Sequence, residues 1–155
     1  MKSYIIAVLF IVSGMSLTLH AFPTDTLTVH VLGTAEDARF EPSVIQVQPG
    51  EVIKFEVLAG LHTVTAYHPD NRRPQRIPDD AVPFDSGMLK AGDIWFLKPE
   101  VKGVYDYFCL PHERMGHAGR LLVGNVDSLP AYSDGRIPST VTENLKRETQ
   151  LILNQ

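Results

Sequence analysis

The chain holds a single cysteine, Cys109, in 155 residues. That excludes an internal disulfide framework, and it also excludes zinc or iron–sulfur sites built from several cysteines. No basic excess is present either: 14 Lys and Arg face 18 Asp and Glu, for a net charge of −4. Such a balance gives no footprint for nucleic acid. Internal repeats and low-complexity tracts are missing. Only one long apolar stretch occurs, Tyr4 to Leu19, and Ser13, Gly14 and Ser16 interrupt it. It falls short of the roughly 20 apolar residues that span a bilayer.

That stretch has the organisation of an export signal. Lys2 supplies the positive start, Tyr4 to Val12 the apolar segment, and Ala21 a small residue suited to cleavage. A signal peptide is expected over residues 1–21, leaving no stable membrane insertion once it is removed. The protein is then periplasmic or otherwise exported, in an oxidising compartment. A lone exported cysteine needs an account there: an intermolecular disulfide, a free thiol, or a thiolate held by a metal.

Glycine and proline are abundant, eleven of each, which points to many turns and an all-β chain. Thr26 to Leu32 alternates β-branched and apolar residues. Val44 and Val47, then Val52, Phe55 and Val57, form two further runs split by Pro49-Gly50. Leu61 to Tyr67, Ile94 to Leu97, Val104 to Phe108 and Gly119 to Val126 complete about seven or eight short strands, a β-sandwich or barrel. His68 to Pro83 carries four prolines and many charges, so it reads as a surface excursion rather than a core element. Near the end, Val141, Leu145 and Ile152 share a helical face, and Thr140 with Glu143 suggests a capping box. The expected layout is a β domain at 22–126 and a C-terminal extension at 127–155, helical from Ser139 to Leu153.

The chemistry concentrates in Tyr107 to Gly119, YFCLPHERMGHAG, which places Cys109, His112, Met115 and His117 within nine residues. Cys109 ends a strand, Pro111 forces a turn, and His112 can swing back to the same ion. A further imidazole, His62, opens a strand well upstream. One thiolate and two imidazoles suit copper in a trigonal site with a weak axial ligand. One Cys with three His also suits zinc. His30 and His68 are read as satisfied or solvent-facing, and Trp95, Tyr105 and Tyr107 as core or site-flanking residues.

These motifs resemble the cupredoxins, small type 1 copper proteins of the plastocyanin, pseudoazurin and amicyanin group. The resemblance runs from about Leu27 to Gly124. It rests on Phe40-Glu41-Pro42 leading to Val47, Gly50 and Val52, on His62-Thr63-Val64, and on Tyr105-Asp106-Tyr107-Phe108-Cys109-Leu110-Pro111-His112. It implies a Greek-key β-sandwich holding one copper ion on His62, Cys109 and His112. Plastocyanin-like loops place the axial Met five residues after the second His, which here is His117. Amicyanin-like loops place it three residues after, which here is Met115. The ten steps from Cys109 to Gly119 match the plastocyanin-like length and favour His117, with Met115 as the alternative. An axial imidazole implies a lower potential and a green, purple or red site.

The resemblance also implies that the backbone N–H of Thr63 points at the cysteine sulfur. Family members commonly have Asn at this position, so the side chain that helps lock the ligand loops is replaced. The implied function is electron transfer rather than enzymatic bond chemistry, with a redox partner protein docking near His112 on Leu110, Pro111 and Met115. Copper handling for tolerance or delivery is the second reading. A small copper enzyme acting on nitric oxide or superoxide is the third.

Overall fold

A computed structural model describes residues 26–126 and 128–154; the expected signal peptide lies outside them. Ten short strands and one helix follow in order: β1 (Leu27–Leu32), β2 (Arg39–Glu41), β3 (Val44–Val47), β4 (Ile53–Val57), β5 (Leu61–His62), β6 (Thr65–Ala66), β7 (Leu89–Lys90), β8 (Ile94–Leu97), β9 (Gly103–Phe108), β10 (Ala118–Val123) and α1 (Ser139–Leu153). The first sheet runs β2-β1-β4-β8 and the second β3-β10-β9-β6, while β5 and β7 form a separate ribbon. β1 pairs with β4 and β10 with β3 in parallel, and the other pairs are antiparallel. This is a Greek-key β-sandwich, as the sequence led us to expect.

Alternation sets the inner face of the first sheet. Val29 and Val31 of β1 and Ile53, Phe55 and Val57 of β4 are fully buried, whereas His30, Lys54 and Glu56 between them are partly exposed. They meet Tyr105, Tyr107, Leu121 and Val123 of the second sheet in one core. β9 and β10 lack that alternation because both of their faces are covered. On the outer side, Val141 and Leu145 of α1 pack with Tyr67, Phe108, Ala118 and Ile137. Gly119 sits opposite Tyr107, and a Cβ there would lie 2.3 Å from the Tyr107 ring. Only glycine lets the ring lie flat over β10.

Several sequence expectations change. Leu61 to Tyr67 is two short strands in different sheets, because every residue from His62 to Tyr67 is buried and none of the expected alternation survives. The Pro-rich excursion is no mere surface loop. Ile77 is fully buried in the main core, and Arg76, 5% exposed, reaches Asp106 at 2.7 Å. The helix bounds match, but the capping box is absent: Pro138 occupies the N-cap and makes no side-chain cap. The third buried position of α1 is Thr149, with Ile152 only partly buried.

Asp106 explains the excursion's path. A fully buried carboxylate is tolerated only when paired and hydrogen-bonded. Arg120 binds both its oxygens (2.6 and 2.9 Å), and Arg76 adds 2.7 Å. Arg120 then reaches Thr149 of α1 at 3.0 Å, and Arg76 reaches Asp134 at 2.8 Å. One ion cluster thus joins excursion, sandwich, extension and helix. Replacing Asp106 with Ala leaves Arg120 buried without its anion and Arg76 with Asp134 alone, and is expected to cost about 3–5 kcal/mol in chemical denaturation. Arg147→Ala, at an exposed pair, should cost under about 1 kcal/mol.

Candidate metal centre

β9 ends at Phe108 and β10 starts at Ala118, so the intervening turn is tied at the open end of a two-stranded ladder. Its own backbone closes it. Cys109 N–H donates to the His117 carbonyl (3.0 Å), His112 N–H to the Cys109 carbonyl (3.0 Å), and His117 N–H to the His112 carbonyl (3.3 Å). A single 3₁₀ turn over Glu113–Met115 reverses at Gly116, whose φ of +88° suits glycine. Those bonds bring Cys109, His112 and His117 to one point, and β5 delivers His62 to it from the other ribbon. One ligand atom from each of the four residues lies within 4.8 Å of the others.

The donors are individually aimed. His62 Nε2 lies 2.8 Å from the Ala59 carbonyl and 3.1 Å from that of Gly33. Two carbonyls accept, so Nε2 carries the proton and Nδ1 presents its lone pair. His62 Nδ1 is 3.5 Å from Cys109 Sγ, and His112 Nδ1 is 3.4 Å from it. His112 is partly exposed while the other three are buried. His117 is 1% exposed, and neither ring nitrogen has a hydrogen-bond partner. The Arg39 backbone lies near enough to favour its protonated form, yet no acceptor meets hydrogen-bond geometry at either nitrogen. Its ring lies 4.1 Å from that of Phe40, centroid to centroid. An orphaned imidazole in a cluster of donors fits a metal ligand. Met115 sits on the 3₁₀ turn and is 43% exposed.

Burial disfavours charge on His112, His117 and the Cys109 sulfur. Burial, helped by the neighbouring His62 and His112, pushes His117 down to about 3. Burial and then His62 lower His112 as well. Burial raises the Cys109 thiol to about 11, opposed by the backbone N–H groups of Thr63 and His112 and by the Thr63 side chain. A soft thiolate with neutral imidazoles is a copper donor set.

Comparison with known proteins agrees. Residues 27–124 match the family described as copper binding proteins of the plastocyanin/azurin family. The chain belongs to that family. Pseudoazurin of Paracoccus pantotrophus is 29% identical over 126 residues, covering 79% of this chain and 81% of that protein. Chloroplast plastocyanin of Chlamydomonas reinhardtii is 28% identical over 113 residues, covering 72% and 75%. A pseudoazurin structure from Methylobacterium extorquens AM1 superposes with a TM-score of 0.60 at 22% identity, over 82% of this chain and 99% of that one. The family match and the Cys–His cluster together support a single copper ion as the cofactor of this cupredoxin.

Thr63 does what its position implied. Its backbone N–H donates to Cys109 Sγ at 3.4 Å. Its hydroxyl also takes over the locking role of the missing amide, accepting the Leu110 N–H at 2.8 Å. His30 lies on β1, 3.9 Å from Glu56, and His68 Nδ1 accepts the Asp70 N–H at 3.1 Å; neither belongs to the cluster. One residue of the centre went unnoticed in sequence. Glu113, beside His112 and 6% exposed, is gripped by Arg73 Nε and Nη2 at 2.6–3.0 Å. No spacing rule connects two residues forty positions apart.

Because burial raises the Cys109 thiol to about 11, a metal ion bound at its sulfur would expel the thiol proton. Loading Cu(II) at about pH 8 should release one proton per ion, read by an indicator dye in weak buffer. In Cys109→Ser that release is lost.

Proposed function

We propose that this cupredoxin is an exported electron carrier. His62, Cys109 and His112 form its trigonal copper set, and His117 stands where relatives place an axial Met. Bound copper supplies the chemistry, holding one electron as Cu(I) and releasing it as Cu(II). The observation that carries this reading is the four-donor cluster, preassembled on segments closed by their own hydrogen bonds. Residues already in place need little rearrangement when the charge at the centre changes, which is the requirement for fast electron exchange. Three of the four donors are buried, which supports a carrier over a catalyst needing an exchangeable position at the metal.

His112 is the partly exposed ligand and so the exit for the electron. Leu110 (54% exposed) and Met115 flank it, and the β5–β7 ribbon that carries His62 adds exposed Leu61 and Met88. An apolar rim of this kind marks a protein-docking surface, here for a redox partner protein. Export rests on the residues 1–21 signal. Among the described residues no helix is long and apolar enough to cross a membrane. If the signal is read correctly, protein isolated from the periplasm begins at Phe22.

An imidazole binds Cu(II) more strongly than a thioether does, so His117 should favour the oxidised state and draw the site toward tetragonal geometry. The optical spectrum of the copper form should therefore carry a second strong sulfur-to-copper band at shorter wavelength beside the main visible one. His117→Met should raise the reduction potential and leave the main visible band dominant. If the unaltered protein already shows almost nothing of the shorter-wavelength band, His117 is not a strong ligand. Azide should leave the spectrum of the unaltered protein unchanged; a shift would favour the enzymatic reading.

A further inference from the structure

The ligand turn is held from outside as well as by its own backbone. Glu113 follows His112 directly, opens the 3₁₀ turn and is 6% exposed. Arg73 takes both of its carboxylate oxygens: Nε lies 2.9 Å from Oε1 and 3.0 Å from Oε2, and Nη2 lies 2.6 Å from Oε2. The same guanidinium lies 5.0 Å from the ring centre of Phe108, the residue before Cys109. One side chain of the Pro-rich excursion therefore touches the chain on both sides of the Cys109–His112 segment. On the far side of the turn, α1 packs on Gly116, where a Cβ would stand 3.1 Å from Asn144 Nδ2.

Arg73 is itself fixed. Its N–H donates to the His68 carbonyl at 3.1 Å, as does the Asn71 N–H at 2.9 Å. The Asn71 side-chain amide reaches the Ala66 and Phe84 carbonyls at 2.9 and 3.2 Å. Arg73 Nη1 donates to the Arg72 carbonyl at 3.2 Å. Arg72 takes a φ of +59°, a left-handed setting unfavourable for a residue with a Cβ. Such settings persist where surrounding contacts over-determine them, and they gather at ligand clamps. A two-pronged pair at a nearly buried carboxylate is also directional, fixing distance and angle together.

Gaining or losing one electron changes the charge at the metal, and each ligand is pulled to a new resting place. His112 is the donor nearest solvent and so has the least packing to resist that pull. We propose that Arg73 and Glu113 are positioning residues that hold His112 at one setting in both oxidation states, which gives the excursion a part in electron transfer. The pair is neutral as a whole, so it restrains the turn without adding net charge beside the metal.

The inference rests on the electron-carrier reading, and its test separates the two. Arg73→Met combined with Glu113→Gln removes the grip and keeps the net charge of the unaltered protein. In the metal-free protein, hydrogen exchange at the Met115, Gly116 and His117 N–H groups should speed up about tenfold, with β1 and β4 unchanged. In the copper form, self-exchange, where a Cu(I) molecule hands one electron to a Cu(II) molecule, should slow about tenfold. It is measured at high salt, where charge no longer steers the encounter. Arg73→Lys keeps the charge but loses the two-pronged grip, and should fall between.

Unchanged amide exchange in the double variant overturns the proposal, because the turn then stands without the clamp. Faster amide exchange with unchanged self-exchange overturns it too, since the grip then serves the fold and not the transfer. A copper form of the unaltered protein that exchanges no electrons would instead refute the carrier reading. Should the double variant fail to fold, Arg73→Lys decides on the same two measurements.

Discussion

Burial at the end of an apolar sandwich disfavours a bare thiolate, and the architecture around Cys109 follows from that constraint. Burial raises the thiol to about 11 and holds the adjacent His117 near 3. No fixed positive charge belongs to the four-residue cluster, so a metal ion bound there would supply the compensating charge. The turn from Cys109 to His117 is closed by backbone bonds, and His62 is aimed by the Ala59 and Gly33 carbonyls. Gly60 makes that aim possible: at φ +81°, any Cβ would stand 2.7 Å from His62 Nε2. The donors are thus arranged by contacts that do not need the ion, and the ion supplies the charge they lack.

Rigidity comes from outside the sandwich as well as from within it. Two layers would leave the outer face of β9 and β10 wet, but α1 and the segment before it cover that face. Asp106 is the tie, reaching through Arg120 to α1 and through Arg76 to the excursion. The excursion returns to the metal centre through Arg73, which clamps Glu113 and lies over the Phe108 ring at 5.0 Å. Elements that look peripheral along the chain therefore press on the Cys109–His117 turn at Glu113 and on Phe108 just before it. A buried ion cluster of this kind is weak evidence for extra stability; its effect here is to fix which segments sit together.

What sequence could show depended on the kind of signal. Alternation placed β1 and β4 closely, because one face of each strand meets less crowded surroundings. It failed at Leu61 to Tyr67, where burial on every side erases the period of two and the chain changes sheets. The Cys109-Pro111-His112 spacing marked the turn on which the structure brings Cys109, His112 and His117 together, since residues on a single turn keep a fixed separation. His62 was a candidate from its place at a strand start, and the family resemblance added the His62-Thr63-Val64 motif. The excursion was misread because four prolines and several charges look like surface. Its burial is driven by Asp106, and the Arg76 and Arg120 that neutralise Asp106 are distant in sequence and announce no pairing. Thr63 was recognised as a departure, but the bond that compensates for it, from the Leu110 N–H to its hydroxyl, joins residues 47 positions apart.

The central claim is that one ion is held by the Cys109 sulfur and three imidazoles. Copper-edge X-ray absorption of the loaded protein tests it most directly, because it counts scatterers by type. The account predicts one short sulfur shell, with outer-shell scattering from three histidine rings that falls to two in His117→Met. A spectrum with no short sulfur shell, or with two histidine rings in the unaltered protein, would contradict it.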